Sequence, residues 1–316
     1  MGPPPFTRPR PPPPPPEGDD MLHKPAGNAD NVAKHYNERR ELGMEERMYT
    51  KITGLRVFNN WVKSLLIRQY TTRGCRVLDL GCGKGGDLRK WGFSNIGEYV
   101  GMDIAAVSVS QARARYDEMR GLNFDASFFA QDCYGEPLEK TLRPPDYMAD
   151  VISAQFCLHY AFESETKARQ MMANVAGHLA PNGVFMCTIP NANWLIKKRR
   201  TVGDSFGNSV YRVEFAPGPI TRFGTAYSFT LDEAVEECTE YLVHMPSFIQ
   251  LAREHGLELE CCLDFHRFYT QHLGRHASLG LLWRMRVVDA DRPAITADEW
   301  EAVGIYLAVV FRKKQS

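Results

Sequence analysis

Val77-Leu78-Asp79-Leu80-Gly81-Cys82-Gly83-Lys84-Gly85-Gly86-Asp87 decides the fold. Arg76-Val77-Leu78-Asp79-Leu80 reads as a buried strand, and the glycine cluster ends it. Glycines at a strand-to-helix turn permit positive φ and let a ligand approach the backbone. Upstream, Leu55, Phe58, Trp61, Val62, Leu65 and Leu66 make one apolar stripe at helical spacing. Downstream, strands are expected at Glu98–Met102, Ser127–Ala130, Asp150–Ser153 and Gly183–Ile189. Helical patterns at Val107–Met119 and Glu165–Leu179 separate them. Strands alternating with helices predict an α/β, doubly wound, mostly parallel sheet.

After Pro190 the rhythm changes. Tyr211–Phe215 and Ala226–Phe229, with Pro217, Gly218, Pro219 and Gly224 between them, predict an inserted β-hairpin. A helix over Met245–His255 and strands over Glu258–Leu263 and Gly304–Phe311 follow, and residues 266–299 receive no assignment. Proline marks the other boundary. Residues 1–25 hold 11 of the 20 prolines. Residues 1–27 are therefore expected to be a disordered Pro-rich tail, and residues 28–316 one globular domain.

Composition narrows the function classes. Lys+Arg and Asp+Glu both total 38, which disfavours a wholesale basic nucleic-acid binder and allows a local basic groove. Eight cysteines without a CxxC pair disfavour a disulfide scaffold and a zinc ribbon. No apolar run approaches the roughly 20 residues of a membrane span.

Gly81, Gly83 and Gly86 also satisfy the GxGxxG pattern of nicotinamide enzymes, a weak sign alone. Asp79, two residues before the first glycine, favours S-adenosylmethionine instead. A carboxylate there suits a cationic amino-acid end and has no use beside a pyrophosphate. Asp103 lies 22 residues after Gly81 at the tip of the second strand, where a carboxylate pairs with ribose hydroxyls. Asp132, after the third strand, is either an adenine acceptor or an ordinary loop aspartate.

The same loop, continued through Leu88-Arg89-Lys90-Trp91, resembles that of the eukaryotic mRNA cap (guanine-N7) methyltransferases. His35-Tyr36-Asn37, Leu55-Arg56-Val57-Phe58-Asn59-Asn60-Trp61-Val62-Lys63 and Gln155-Phe156-Cys157-Leu158-His159-Tyr160-Ala161-Phe162-Glu163 resemble further segments of that family. Ile189-Pro190-Asn191, Ser205-Phe206-Gly207-Asn208 and Ile305-Tyr306-Leu307 follow in order. The resemblance implies a Rossmann-like class I S-adenosylmethionine-dependent methyltransferase fold with an antiparallel C-terminal strand. It implies cofactor contacts at Lys63, Gly81, Asp103, Asp132, Gln155 and Tyr160. It implies cap contacts at Asn59, Asn60, Lys84, Lys90, Arg115, His159, Glu240 and Tyr306. The implied partners are the capped 5′ end of nascent mRNA and other capping or transcription machinery. No metal and no membrane are expected, and the family's role implies the nucleus.

Chemistry agrees with such a site. Asn59 and Lys63 are i,i+4 neighbours and can face one ligand. Guanine N7 is unprotonated at neutral pH, so no general base is needed. His159 and Glu240 are expected to orient the base, and a carboxylate beside the purine favours the developing positive charge. Lys197-Lys198-Arg199-Arg200 reads as a charged helix end ahead of an RNA patch. Three alternatives remain: a methyltransferase for a small molecule or another RNA position, a cap-binding module without turnover, and a nicotinamide oxidoreductase.

Overall fold

The computed structural model describes residues 28–38, 50–285, 287 and 295–315. The expected Pro-rich tail over 1–27 lies outside the described residues. Strand β1 (Arg76–Leu80) sits between β2 (Glu98–Asp103) and β4 (Ala149–Gln155), and β3 (Asp125–Ala130) and β5 (Leu179–Pro190) extend the two sides. These five strands are parallel to their neighbours. Strand β11 (Tyr306–Lys313) joins β5 antiparallel, and β10 (Leu257–Asp264) joins β11 antiparallel. The seven-stranded order is β10-β11-β5-β4-β1-β2-β3. The sheet's strand order reverses beside β1, which opens a crevice at the carboxyl ends of β1 and β4.

Both faces of the sheet are covered, which is why β1 reads as an almost unbroken apolar run. Val77 packs with the layer of α2 (Thr53–Tyr70), while Leu78 and Leu80 face the layer of α5 (Glu165–His178). Between them in sequence lie α3 (Leu88–Phe93) and α4 (Ala106–Glu118), and α1 (Asn28–Glu38) precedes them all. The stripe Leu55, Phe58, Trp61, Val62, Leu65 and Leu66 is buried as its spacing predicts. Each fully buried side chain of this kind contributes about 1.5–3 kcal/mol.

The expected hairpin is present, and two regions extend the sequence reading. The inserted hairpin is the centre of a four-stranded antiparallel sheet: β6 (Ser205–Gly207), β7 (Tyr211–Phe215), β8 (Ala226–Leu231) and β9 (Val235–Tyr241). The acids of β9 obscure the apolar alternation of a strand. A register irregularity opposite Phe229–Leu231 and a positive φ at Glu237 further break its alternation. The unassigned region from Phe265 holds α8 (Phe265–Leu273), α9 (His276–Arg284) and α10 (Ala297–Val303), after α6 (Ala192–Val202) and α7 (Met245–Glu254) earlier in the chain. Phe268, Tyr269 and Trp300 from this region pack around Phe58 and Trp61. Glu299 completes a capping box with Thr296 and also accepts from the Leu55 amide at 3.0 Å, fixing the start of α2.

Two residues of the basic run on α6 are occupied within the fold. Lys198 pairs with Glu301, and Arg199 pairs with Asp204 at 2.5 Å. Among the described residues no helix is long and apolar enough to cross a membrane.

Candidate active site

A cavity of about 310 Å³ opens at the carboxyl ends of the parallel strands. Gly81 and Gly83 after β1, Asp103 ending β2, Asp132 after β3, and Gln155 ending β4 line it. Lys63 from α2 and Phe156 and Tyr160 beyond β4 complete the wall, and Ala29 and Val32 of α1 close one side. Six of the seven residues expected to hold the cofactor therefore meet in one place, and Asp79 is the one that does not line the cavity.

The glycine loop needs its glycines. Gly81 and Gly83 have φ of +71° and +52°, and a Cβ on Gly81 would lie 2.5 Å from Cys157 Sγ. The Gly83 amide donates to Asp103 Oδ2 at 2.8 Å, and the Ala105 amide donates to Oδ1 at 2.9 Å. Each carboxylate oxygen has a second lone pair for a ligand hydroxyl. Burial raises the Asp103 pKa. Asp132 Oδ1 accepts from the amides of Tyr134 and Gly135 at 2.9 and 3.0 Å. Gln155 is set by Thr188, whose hydroxyl donates to Gln155 Oε1 at 3.1 Å.

Lys63 belongs to a group that sequence reasoning missed. Its ammonium lies 2.8 Å from Asp87 Oδ1, and that of Lys90 lies 2.7 Å from the same oxygen. Burial alone would raise the Asp87 pKa, but the two ammoniums hold it well below the usual carboxylate range. Two cations and one anion leave a net positive charge beside the cavity, which suits a carboxylate ligand. Asp87 ends the quoted glycine stretch, and that position was its only sign. Lys90 also donates to the Gly86 carbonyl at 3.3 Å and is not part of the cavity wall.

Asp79 lies one layer beneath the wall. It is buried and accepts from the Tyr99 hydroxyl at 2.9 Å. Burial, and then the negative charge of Asp87, push its pKa up to about 7.

A second cluster adjoins the cavity through Tyr160 and Phe156. Glu240 on β9 is 6% exposed, and His159 is 2% exposed. Glu240 Oε1 stands 3.4 Å from His159 Nε2, and Glu240 Oε2 accepts from the Tyr227 hydroxyl at 2.7 Å. Neither His159 ring nitrogen makes a hydrogen bond among the described residues, and the buried Asn59 Oδ1 makes none either. Buried polar atoms without partners are rare in folded proteins and call for a partner outside the chain, water or ligand. The His159 ring lies 4.3 Å from that of Tyr160. Tyr306 meets Phe156 edge-on at 5.0 Å. Phe156 holds a positive φ of 60°, a costly conformation for an aromatic residue. Asn60, Lys84 and Arg115 are half-buried and lie outside the cavity wall.

A family model of the mRNA (guanine-N(7))-methyltransferase domain matches residues 21–314. The chain belongs to this family. A Cryptococcus neoformans mRNA cap guanine-N(7) methyltransferase is 42% identical over 294 residues, covering 89% of this chain and 47% of the relative. The Schizosaccharomyces pombe mRNA cap guanine-N(7) methyltransferase is 41% identical over 305 residues, covering 92% of this chain and 84% of the relative. The chain thus spans about half the length of the first relative and most of the second. The Streptomyces caelestis CcbJ methyltransferase shares the fold, with a TM-score of 0.52, 16% identity, and coverage of 87% of this chain and 100% of that one. The family and the fold implied by the sequence motifs are both borne out.

Proposed function

We propose that this chain transfers a methyl group from S-adenosylmethionine to N7 of the guanine at the 5′ cap of mRNA. The observation that carries the reading is the junction of two sites. A cavity built on strand-end carboxylates and glycines opens, past Tyr160 and Phe156, beside a buried cluster of Glu240, His159 and Tyr306.

In this reading Asp103 accepts from the ribose hydroxyls, Asp132 accepts from the adenine amino group, Gln155 contacts the cofactor from the end of β4, and Gly81 allows close approach of the backbone. Lys63 pairs with the cofactor's carboxylate, and Asp79 acts from below the glycine loop. S-adenosylmethionine held there would supply a sulfonium-activated methyl group to N7 and leave as the neutral thioether, so that positive charge would pass to the purine. Glu240 accepts from the guanine N1–H and amino group and lies beside that growing charge. His159 and Tyr306 fix the base, and Asn59 and Asn60 contact the cap from α2. Lys84, Arg115 and Lys90 offset the negative charge of the triphosphate bridge. No side chain takes a proton from N7, because N7 carries none. Catalysis comes from alignment and from the carboxylate field.

The family's role carries with it the nucleus and contacts with other capping or transcription machinery. The test is methyl transfer from labelled cofactor to GpppRNA, run beside the same RNA ending in a 5′ triphosphate. The reading predicts label in the capped RNA alone. Equal labelling of both would move the target elsewhere in the RNA.

A further inference from the structure

Tyr227 has no place in the roles above, yet it makes the shortest contact to Glu240 that the cluster contains. The two residues stand directly opposite each other in the β8–β9 ladder, so their side chains share one face. Tyr227 is 2% exposed, and its hydroxyl lies 2.7 Å from Glu240 Oε2. Its ring packs 5.4 Å from that of Phe215 on β7, which fixes where the hydroxyl points. Burial, then the charge of Glu240, raise the phenol pKa well above its ordinary value, so the hydroxyl stays protonated and donates. Glu240 Oε1 is meanwhile turned to His159 at 3.4 Å, outside hydrogen-bond geometry. One carboxylate oxygen is pinned and the other is held ready.

We propose that Tyr227 is a positioning residue for the guanine site: it anchors one oxygen of Glu240 so that the carboxylate edge is fixed before the base arrives. This rests on the cap-methylation reading. Oε2 keeps a second lone pair, so the anchored carboxylate can still take both donors of the guanine edge. A buried carboxylate without the anchor would rotate about its terminal bond, and the ordering would fall on the binding step. A hydrogen bond to a charged group in a buried site is stronger than one between neutral groups, so its loss should be felt in catalysis.

The test is a double-mutant cycle on the full chain. Tyr227→Phe keeps the ring and its packing and removes only the hydroxyl. It should lower kcat/KM for GpppRNA by about ten-fold or more, with calorimetric S-adenosylmethionine affinity unchanged. In a Glu240→Ala background, which offers no acceptor, the same change should cost less than about two-fold. Losses that multiply would show that Tyr227 acts independently of Glu240, and would overturn the inference alone. So would a Tyr227→Phe chain with wild-type kcat/KM. A wild-type chain that neither binds nor methylates GpppRNA would overturn the cap reading beneath it.

Discussion

The cavity wall and the Glu240–His159 cluster, proposed to take cofactor and guanine, are assembled from different kinds of sequence. Gly81, Gly83, Asp103, Asp132 and Gln155 sit at the ends of β1, β2, β3 and β4, so each follows its strand at a fixed place in the repeating unit. Glu240, Tyr227, His159 and Tyr306 arrive from β9, β8, the turn after β4 and β11, and no periodicity connects them. A wall built by one topological rule announces itself locally. A cluster built by an insertion and a returning strand exists only once the chain has folded.

That contrast predicts different losses on the two sides. The largest is expected at Glu240. Glu240→Gln keeps size and one acceptor but removes the charge beside the purine, so methyl transfer to GpppRNA should fall about thirty- to a thousand-fold. That corresponds to about 2–4 kcal/mol of transition-state stabilisation. Cofactor affinity should stay nearly intact, and Glu237→Gln on the exposed side of β9 should be near neutral. Equal small effects in single-turnover assays would move Glu240 out of the site.

A smaller, opposite pattern is expected at Asp103. Asp103→Ala removes charge-assisted hydrogen bonds, so calorimetry should show S-adenosylmethionine affinity weakened about ten- to a hundred-fold. Unchanged affinity would separate Asp103 from the ribose.

Asp79 gives a pH-dependent effect. Its folded pKa of about 7 lies above the ordinary carboxylate value, with burial the main cause. Between about pH 4 and 7 the folded state keeps this proton and the unfolded state releases it, so stability falls as pH rises. Asp79→Asn removes that dependence. The Tm difference, variant minus wild type, should therefore grow from pH 4 to 7, and a flat difference would contradict the assignment. The smallest effect is expected at the N-terminus: deleting residues 1–25, rich in proline and poor in apolar side chains, should change neither Tm nor methyl transfer.

The sequence was most legible where one element carried its own signature. The glycine run, the apolar stripe of α2 and the strand-end aspartates all reappear in the structure within a residue or two. Its spacing could not show that Asp79 turns inward to Tyr99, because strand-end and strand-interior positions differ by one residue. Nor could it show that Asp87 binds Lys63 and Lys90 together, a contact across 24 residues for one partner. Glu240 was named by family resemblance alone. It stands among other acids on β9, a pattern usual for a solvated face, while the fold buries it against Tyr227 and His159. The same acids hid the strand itself. Aromatic residues of α8 and α10 were unreadable for a related reason: their partners, Phe58 and Trp61, lie some 200 residues earlier.

The central claim is that the purine beside Glu240 receives the methyl group at N7. GpppRNA methylated by the wild-type chain with labelled S-adenosylmethionine can be digested to its cap dinucleotide and resolved against standards. The account predicts label in m7GpppN and nowhere else. Label in a ribose methyl, in an internal nucleotide or in the first transcribed base would contradict it.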